Sequence, residues 1–375
     1  MIDLVNQSFH ELNLSKTILG IFIDFSKAFD TINHDILLAK LTSLNFNINT
    51  ISLFKSYLSE RQQCVSIDGI NSDFYKIKCG VPQGSILGPT LFLMYINDLV
   101  NYTGIFKPLL FADDTNLFLT SKNLNSEISN INNALKVVGN WCHANKLTVN
   151  IQKTNFIIIQ NYQNKASFNH VIELFTNKIV ESRCVKFLGI TIDPTLSWSV
   201  HIENLRNQLH KSLGLLYQAS SFLPRKILIL LYNSLIISKI SYCLEAWGNA
   251  APTHLNKILK IQKRAIRIIY NCHPKTHTAP LFKKANILPI FQLYKFRIAL
   301  LAFSSFHSLS KNMHHLATRH SALSLPLPKS SSACGHRQVT YQSATIWNSL
   351  PDSIKIINNK SVFKLTLKRH LLDSL

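Results

Sequence analysis

Acidic residues are scarce in this 375-residue chain, and the shortage is confined to one half of it. Nineteen Asp and Glu stand against 40 Lys and Arg, a formal net charge of +21. Residues 1–200 hold 16 basic and 15 acidic side chains, whereas residues 201–375 hold 24 and 4. A merely soluble surface needs no such asymmetry. The excess points to a polyanionic partner, nucleic acid ahead of an anionic membrane surface. A CxxC pair is also lacking. The seven cysteines (Cys64, Cys79, Cys142, Cys184, Cys243, Cys272 and Cys334) are odd in number and scattered. That argues against a disulfide framework and fits reduced thiols in an intracellular protein. Cys272 with His273 and His277, and Cys334 with His336, are poorly spaced for a closed zinc site. The strongest apolar stretch, 227–240, is broken by Asn233, Ser234 and Lys239. A membrane-spanning helix needs about 20 apolar residues, so none is expected. Residues 1–19 show no basic segment followed by an apolar core, so no signal peptide is expected. No internal repeat is visible. What is present is 46% hydrophobic residues, enough for a sizeable core, over a length that permits two or three domains.

The β-branched and aromatic run 17–25 reads as a buried strand ending near Asp24. Residues 33–44 and 50–59 read as short helices, and 62–67 and 74–79 as strands joined by a turn at Asp68-Gly69. Gly80-Val81-Pro82-Gln83-Gly84 is a loop, with Ser85 as the cap of a helix to about residue 99. Residues 109–112 and 115–120 read as a hairpin turning at Asp113-Asp114. A helix follows over 127–144, then strands over 154–160 and 185–192. After Asp193-Pro194 the character changes. Residues 201–218 carry Ile202, Leu205, Leu209, Leu213 and Leu216 at helical spacing, and the chain stays helical and basic to about residue 303. Residues 321–336, rich in Ser, Pro and Lys, read as a linker.

Two adjacent acids at the tip of an apolar hairpin repel each other and resist desolvation. A divalent cation relieves both costs, and Mg²⁺ takes carboxylate and phosphate oxygens. Alone, Asp113-Asp114 would be an ordinary polar turn. Joined to a strand-end Asp24 and a Gly-rich loop, it points to metal chemistry.

The motifs sharpen this. Residues 23–30, Ile-Asp-Phe-Ser-Lys-Ala-Phe-Asp, resemble motif A of non-LTR (LINE-type) reverse transcriptases. Gly80-Val81-Pro82-Gln83-Gly84-Ser85 with Leu87-Gly88-Pro89 resembles motif B, and Phe111-Ala112-Asp113-Asp114 the [FY]xDD box of motif C. Trp141, Asn145, Leu147, Asn150, Lys153 and Thr154 resemble motif D, and Phe187-Leu188-Gly189 motif E. The helical stretch to about residue 300 and residues 344–351 resemble the C-terminal part of Jockey- or CR1-like elements. The resemblance implies an α+β fold: a right-hand polymerase palm with an antiparallel sheet and packed helices, then a mostly α-helical thumb and C-terminal region. It implies a palm over 1–195, a basic helical region over 196–320, a linker or exposed loop over 321–338 and a short module over 339–375. Only 23 residues precede Asp24, so the fingers are expected to be largely absent, the chain to be N-terminally truncated, and its polymerisation by itself to be poor or nil.

The implied activity is RNA-directed DNA polymerisation by two-metal nucleotidyl transfer. Two Mg²⁺ ions, or Mn²⁺, would be held by Asp24, Asp113 and Asp114 with the Phe25 carbonyl. An RNA template, a DNA primer and dNTPs are the implied partners, with no membrane; nuclear residence is implied by the use of chromosomal DNA as primer. Phe29 falls where the family has its steric gate, although an isolated Phe is more often a core residue. Gln83 and Gly84 would lie beneath the incoming nucleotide. Lys153 would assist pyrophosphate departure or be a plain surface lysine. Phe187, Leu188 and Gly189 would grip the primer. Asp30 and Asp35 read as surface or helix-start acids. Lys257, Lys260, Arg264 and Arg267 form one helical stripe suited to a phosphate backbone, and Tyr217, Tyr232, Tyr242 and Tyr270 are candidate stacking or core aromatics. The alternative is a catalytically inactive nucleic-acid-binding remnant of such an element. A nucleotidyl cyclase fits less well, having no need of a basic track, and a group II intron maturase is a neighbouring reading.

Overall fold

The computed structural model describes residues 1–161, 168, 170–310, 323–330 and 332–375, with the side chains of 307–310 left out. Helix and strand are both present, the strands all before residue 193 among the described residues, in an α+β chain that gathers into two compact units. One is Lys16–Arg183; the other joins Met1–Ser15 to Cys184–Leu375. This division by packing falls at 183/184, within the span 1–195 expected of the palm, and the first 15 residues belong to the second unit. The cause is local packing. Helix α1 (Ile2–Asn13) buries Val5, Phe9 and Leu12 on one side. The Arg337 guanidinium lies 4.6 Å from the Phe9 ring centre, and Thr340 donates to Asn6 Oδ1. The expected linker over 321–338 lies partly outside the described residues, and its described part includes a helical turn, Ala333–His336.

In the first unit, strand β1 (Thr17–Ile23) is buried along nearly its whole length. It is central because Val/Ile/Leu-type residues occupy both of its faces, so both must be covered. Helices α2 (His34–Ser43), α3 (Ile48–Leu58) and α4 (Leu87–Ile96) follow. Next come strands β2 (Lys107–Phe111) and β3 (Asp114–Ser121), helix α5 (Ile128–Ala144), and strands β4 (Asn155–Ile159) and β5 (Val180–Glu181). The sheet order is β5-β4-β1-β3-β2, antiparallel except for the β4/β5 pair. Leu19, Ile21 and Ile23 share a core with Leu37, Leu91, Phe92, Leu135 and Trp141, so helices α2, α4 and α5 cover the sheet. The strands expected over 62–67 and 74–79 break into two-residue pairs. The Asp68-Gly69 turn is there, both residues at positive φ (+50° and +83°), the signature of a type I′ turn.

In the second unit, strands β6 (Val185–Phe187) and β7 (Ile190–Ile192) form a hairpin. Helix α6 (Ser199–Ala219) and helix α7 (Pro252–Tyr270) pack on each other, and further helices run over Ile290–Ser310, Val339–Asn348 and Lys360–Asp373. Among the described residues no single helix is long and apolar enough to cross a membrane.

His201 on α6 is 9% exposed, edge-on to Trp247 with ring centres 5.4 Å apart, and receives the Thr191 N–H at Nδ1 (3.4 Å). Burial pushes its pKa down to about 4. The unfolded chain takes up this proton near pH 6.5, the folded one near 4, so stability rises with pH between those values. A shift of this size corresponds to about 3 kcal/mol, lost as pH falls from 6.5 to 4. His201→Phe is expected to flatten that part of the curve in denaturant titrations; an unchanged slope would assign it to other groups.

Candidate active site

Ile23, the last residue of β1, pairs with Thr115 in antiparallel register. One residue past that pair come Asp24 on one segment and Asp114 on the other, and the Asp24 charge acts on the Asp114 carboxyl. The hairpin β2–β3 closes through the pair Phe111 and Asp114. Its two-residue turn is therefore Ala112-Asp113, not Asp113-Asp114 as the sequence suggested, and Asp114 is the first residue of β3. Ala112 takes φ +51°, a left-handed value that costs a residue with a Cβ about 1–2 kcal/mol. Alternation of hydrophobic residues cannot reveal this one-residue shift, because Leu109–Phe111 is apolar throughout.

The three carboxylates thus converge from two chain segments. Burial raises the Asp114 pKa, and the charges of Asp113 and Asp24 raise it further. Asp24 is held by its backbone from the loop that follows α5. Its N–H donates to Thr154 Oγ1 (3.3 Å), and its carbonyl accepts from the Asn150 N–H (2.8 Å). Thr154 Oγ1 in turn donates to the Asn150 carbonyl (2.9 Å), closing the clamp. Ser26 N–H donates to the Thr148 carbonyl (2.8 Å), so the two bonds flank Phe25 and leave its own carbonyl out of the pairing with Val149. Lys153 Nζ lies 3.9 Å from Asp24 Oδ2, both groups well exposed, so the pair contributes little stability.

Among the described residues no three His, Cys, Asp or Glu side chains lie close enough to enclose a metal by themselves. Mg²⁺ does not require that, since one or two carboxylates plus waters and substrate phosphates complete its shell. Hard oxygen donors whose like charges already push Asp114 toward its protonated form fit such an ion.

Five residues after Asp24, Phe29 rests on Phe92 with ring centres 4.8 Å apart. Phe29, Val81, Pro82, Gln83, Gly84 and Ser85 line one open cavity of about 460 Å³. Backbone bonds stitch its two sides together: Gly80 N–H to the Ile32 carbonyl (2.7 Å) and Val81 N–H to the Phe29 carbonyl (2.9 Å). Gly80 has φ +84°, and a Cβ there would come within 2.7 Å of the Asp30 backbone, so only glycine fits. Asp30 is exposed, as expected of a surface acid; its Oδ1 also accepts from Gln83 Nε2 (2.9 Å) and so aims that amide, while the α2 cap is Asn33, which accepts from Ile36 N–H. Ser85 does act as a cap: its Oγ accepts from Leu87 and Gly88 N–H (3.1 and 3.2 Å).

In the second unit, the β6–β7 turn is Leu188-Gly189, with φ of +45° and +79°, again a type I′ pattern. Phe187 is only 2% exposed and belongs to the core, so of the three expected primer contacts only Leu188 and Gly189 are presented. Tyr242, whose role the sequence left open, donates its hydroxyl to the Leu188 carbonyl (2.7 Å) and braces the tip. Tyr232 is fully buried, its hydroxyl accepting from Gln262 Nε2, and Tyr270 lies under the Arg225 guanidinium at 4.6 Å. Helix α7 buries Leu255, Ile258, Ile266 and Ile269 and turns its basic stripe outward. Lys257 leaves the stripe to pair with Glu203 (3.2 Å). Lys263 joins Lys260, Arg264 and Arg267 instead, at the i+3 and i+4 spacing that should have identified it.

Residues 4–192 match the family described as reverse transcriptase (RNA-dependent DNA polymerase). The RNA-directed DNA polymerase from mobile element jockey of Drosophila melanogaster is 30% identical over 277 residues, 71% of this chain and 30% of that protein. The probable RNA-directed DNA polymerase from transposon BS of the same species is 28% identical, over 72% of this chain and 30% of that protein. The chain thus spans about 30% of the length of these relatives. A Candida tropicalis telomerase in complex with a TWJ fragment of telomeric RNA aligns over 100% of this chain and 49% of its own, at 12% identity and a TM-score of 0.41. The chain belongs to the reverse transcriptase (RNA-dependent DNA polymerase) family, on its non-LTR, LINE-type side.

Proposed function

We propose that the unit Lys16–Arg183 is the palm of an RNA-directed DNA polymerase and that the helices after it serve as a thumb and C-terminal region. The observation that carries this is the strand register that ends at Ile23 and Thr115, one residue short of Asp24 and Asp114, with the charges of Asp24 and the turn acid Asp113 both acting on Asp114. Asp24, Asp113 and Asp114 with the Phe25 carbonyl would hold two Mg²⁺ ions, which when bound activate a primer 3′-hydroxyl and stabilise the leaving pyrophosphate. The chain's own groups do the rest. Phe29 walls the cavity where a sugar would sit, Gln83 is aimed by Asp30, and Gly84 at φ +79° leaves open space for a base or ribose. Lys153, beside Asp24, is placed to give a proton or a charge to departing pyrophosphate. Template RNA and primer DNA would run along the basic helical region.

Extension of a DNA primer on an RNA template, with dNTPs and Mg²⁺, tests the reading. Extension that needs Mg²⁺ and stops on chelation, however slow without the fingers, supports the reading. Tight binding of the primer–template without extension would favour the noncatalytic nucleic-acid-binding alternative. The clamp on Asp24 gives a finer test. Thr154→Val removes the hydroxyl that accepts the Asp24 N–H, worth about 0.5–1.5 kcal/mol. Mn²⁺ affinity, read by titration, is expected to fall about 2- to 12-fold, with Thr154→Ser restoring it. Equal loss in both variants would assign the effect to methyl packing.

A further inference from the structure

We infer that the basic cavity between α6 and α7 takes one unpaired nucleotide of a single strand, its base stacked on Tyr217 and its phosphates held by the cations of α7. The cavity measures about 610 Å³, within the roughly 300–1,000 Å³ of pockets that enclose small ligands. Four cations line it, Lys260, Lys263, Arg264 and Arg267, and no Asp or Glu does. These four occupy i, i+3, i+4 and i+7 of one helix, so each has like-charged neighbours at spacings that destabilise a helix. Among the described residues nothing acidic offsets them. Lys257, one turn earlier, shows the contrast, since Glu203 neutralises it. Arg267 is held in place by its Nε bond to the Thr276 carbonyl (2.9 Å).

A bare anion site would need only the charge. Tyr217 adds a second feature. Its side chain is 68% exposed, on the wall of a cavity that already holds the cations. Tyr232 and Tyr270, by contrast, are committed to a hydrogen bond in the core and to Arg225. A flat ring beside a cluster of phosphate-binding cations is the arrangement that captures a splayed base, which a paired base inside a duplex cannot offer. The choice of a nucleotide over another polyanion rests on the polymerase reading; the charge, the cavity and the exposed ring do not.

The test is equilibrium binding of the full chain to fluorescent oligonucleotides, followed by anisotropy without any extension step. Unstructured RNA, unstructured DNA and a blunt duplex are compared at about 0.15 M ionic strength. Tyr217→Ala is expected to weaken single-strand binding about 5- to 150-fold while leaving the duplex unchanged, and Tyr217→Phe to bind as the parent does. The RNA and DNA arms show which strand is the natural source. The double variant Lys260→Ala/Arg264→Ala is expected to lower the salt slope of single-strand binding by about 1.4. Equal loss for duplex and single strands in Tyr217→Ala, or no loss at all, would overturn the inference and leave α7 a simple backbone track. A chain that fails to extend primers yet shows the Tyr217 effect loses the polymerase reading and keeps this one; an extending chain without the effect does the reverse.

Discussion

Asp113→Asn is expected to lower nucleotide addition by at least about 10³-fold while leaving the fold and the nucleic-acid affinity unchanged. The size follows from the role. A metal-held charge supplies several kcal/mol of transition-state stabilisation, and about 4 kcal/mol is three decades in rate. The selectivity follows from the structure. Asp113 is an exposed turn residue, asparagine is at home in turns, and exposed substitutions of this kind shift stability by about 0.5 kcal/mol or less. Asp114→Asn is expected to lower activity as well, since the Asp113 and Asp24 charges that, after burial, raise the Asp114 pKa also draw a cation to it. Single-turnover extension across a Mg²⁺ titration, with a melting curve for each variant, separates these cases. Extension by Asp113→Asn at the parent rate would remove the metal role from the hairpin.

The acids were legible because chemistry fixes their residue type and their place after an apolar strand. Their partners were less so. Asp24 lies 130 residues from Thr154, and the hydroxyl that caps its N–H has no local signature. Likewise Asp30 sits 53 residues from the Gln83 amide it aims, so the nearer explanation, an acid at a helix start, came first. The hairpin turn was displaced by one residue because β2 offers no polar alternation to set register, and only the pairing across the strands decides it. On α7 the periodic pattern gave the charged face correctly but could not say that Lys257 would meet Glu203 from another helix. The unit boundary followed motif E, although the β6–β7 hairpin that carries that motif belongs to the second unit, along with the N-terminal helix. Local patterns therefore identified elements and residue types, while contacts between distant segments decided which side chains are aimed, braced or neutralised.

Phe29→Val is expected to raise the use of rNTPs relative to dNTPs by about 5- to 150-fold. A gate works only if its ring cannot retreat, and several contacts hold this one. The ring rests on Phe92 at 4.8 Å, its carbonyl accepts the Val81 N–H at 2.9 Å, and the glycine-only approach at Gly80 locks the two loops together. The ring forms one wall of the cavity that Gln83 and Gly84 also line. A ribose 2′-hydroxyl pressed against such a wall acts like an extra group forced into a packed site, which costs about 1–3 kcal/mol; converted at 1.36 kcal/mol per decade, that gives the stated range. Valine removes the ring but keeps an apolar contact with Phe92, so dNTP use should fall far less than discrimination does. Phe29→Tyr keeps the wall and should discriminate as the parent does. The measurement is the ratio of kcat/KM for matched rNTP and dNTP on one primer–template, with a melting curve to account for the half-buried ring. If the valine variant keeps the parent's ratio, Phe29 is a packing residue and the sugar is selected elsewhere.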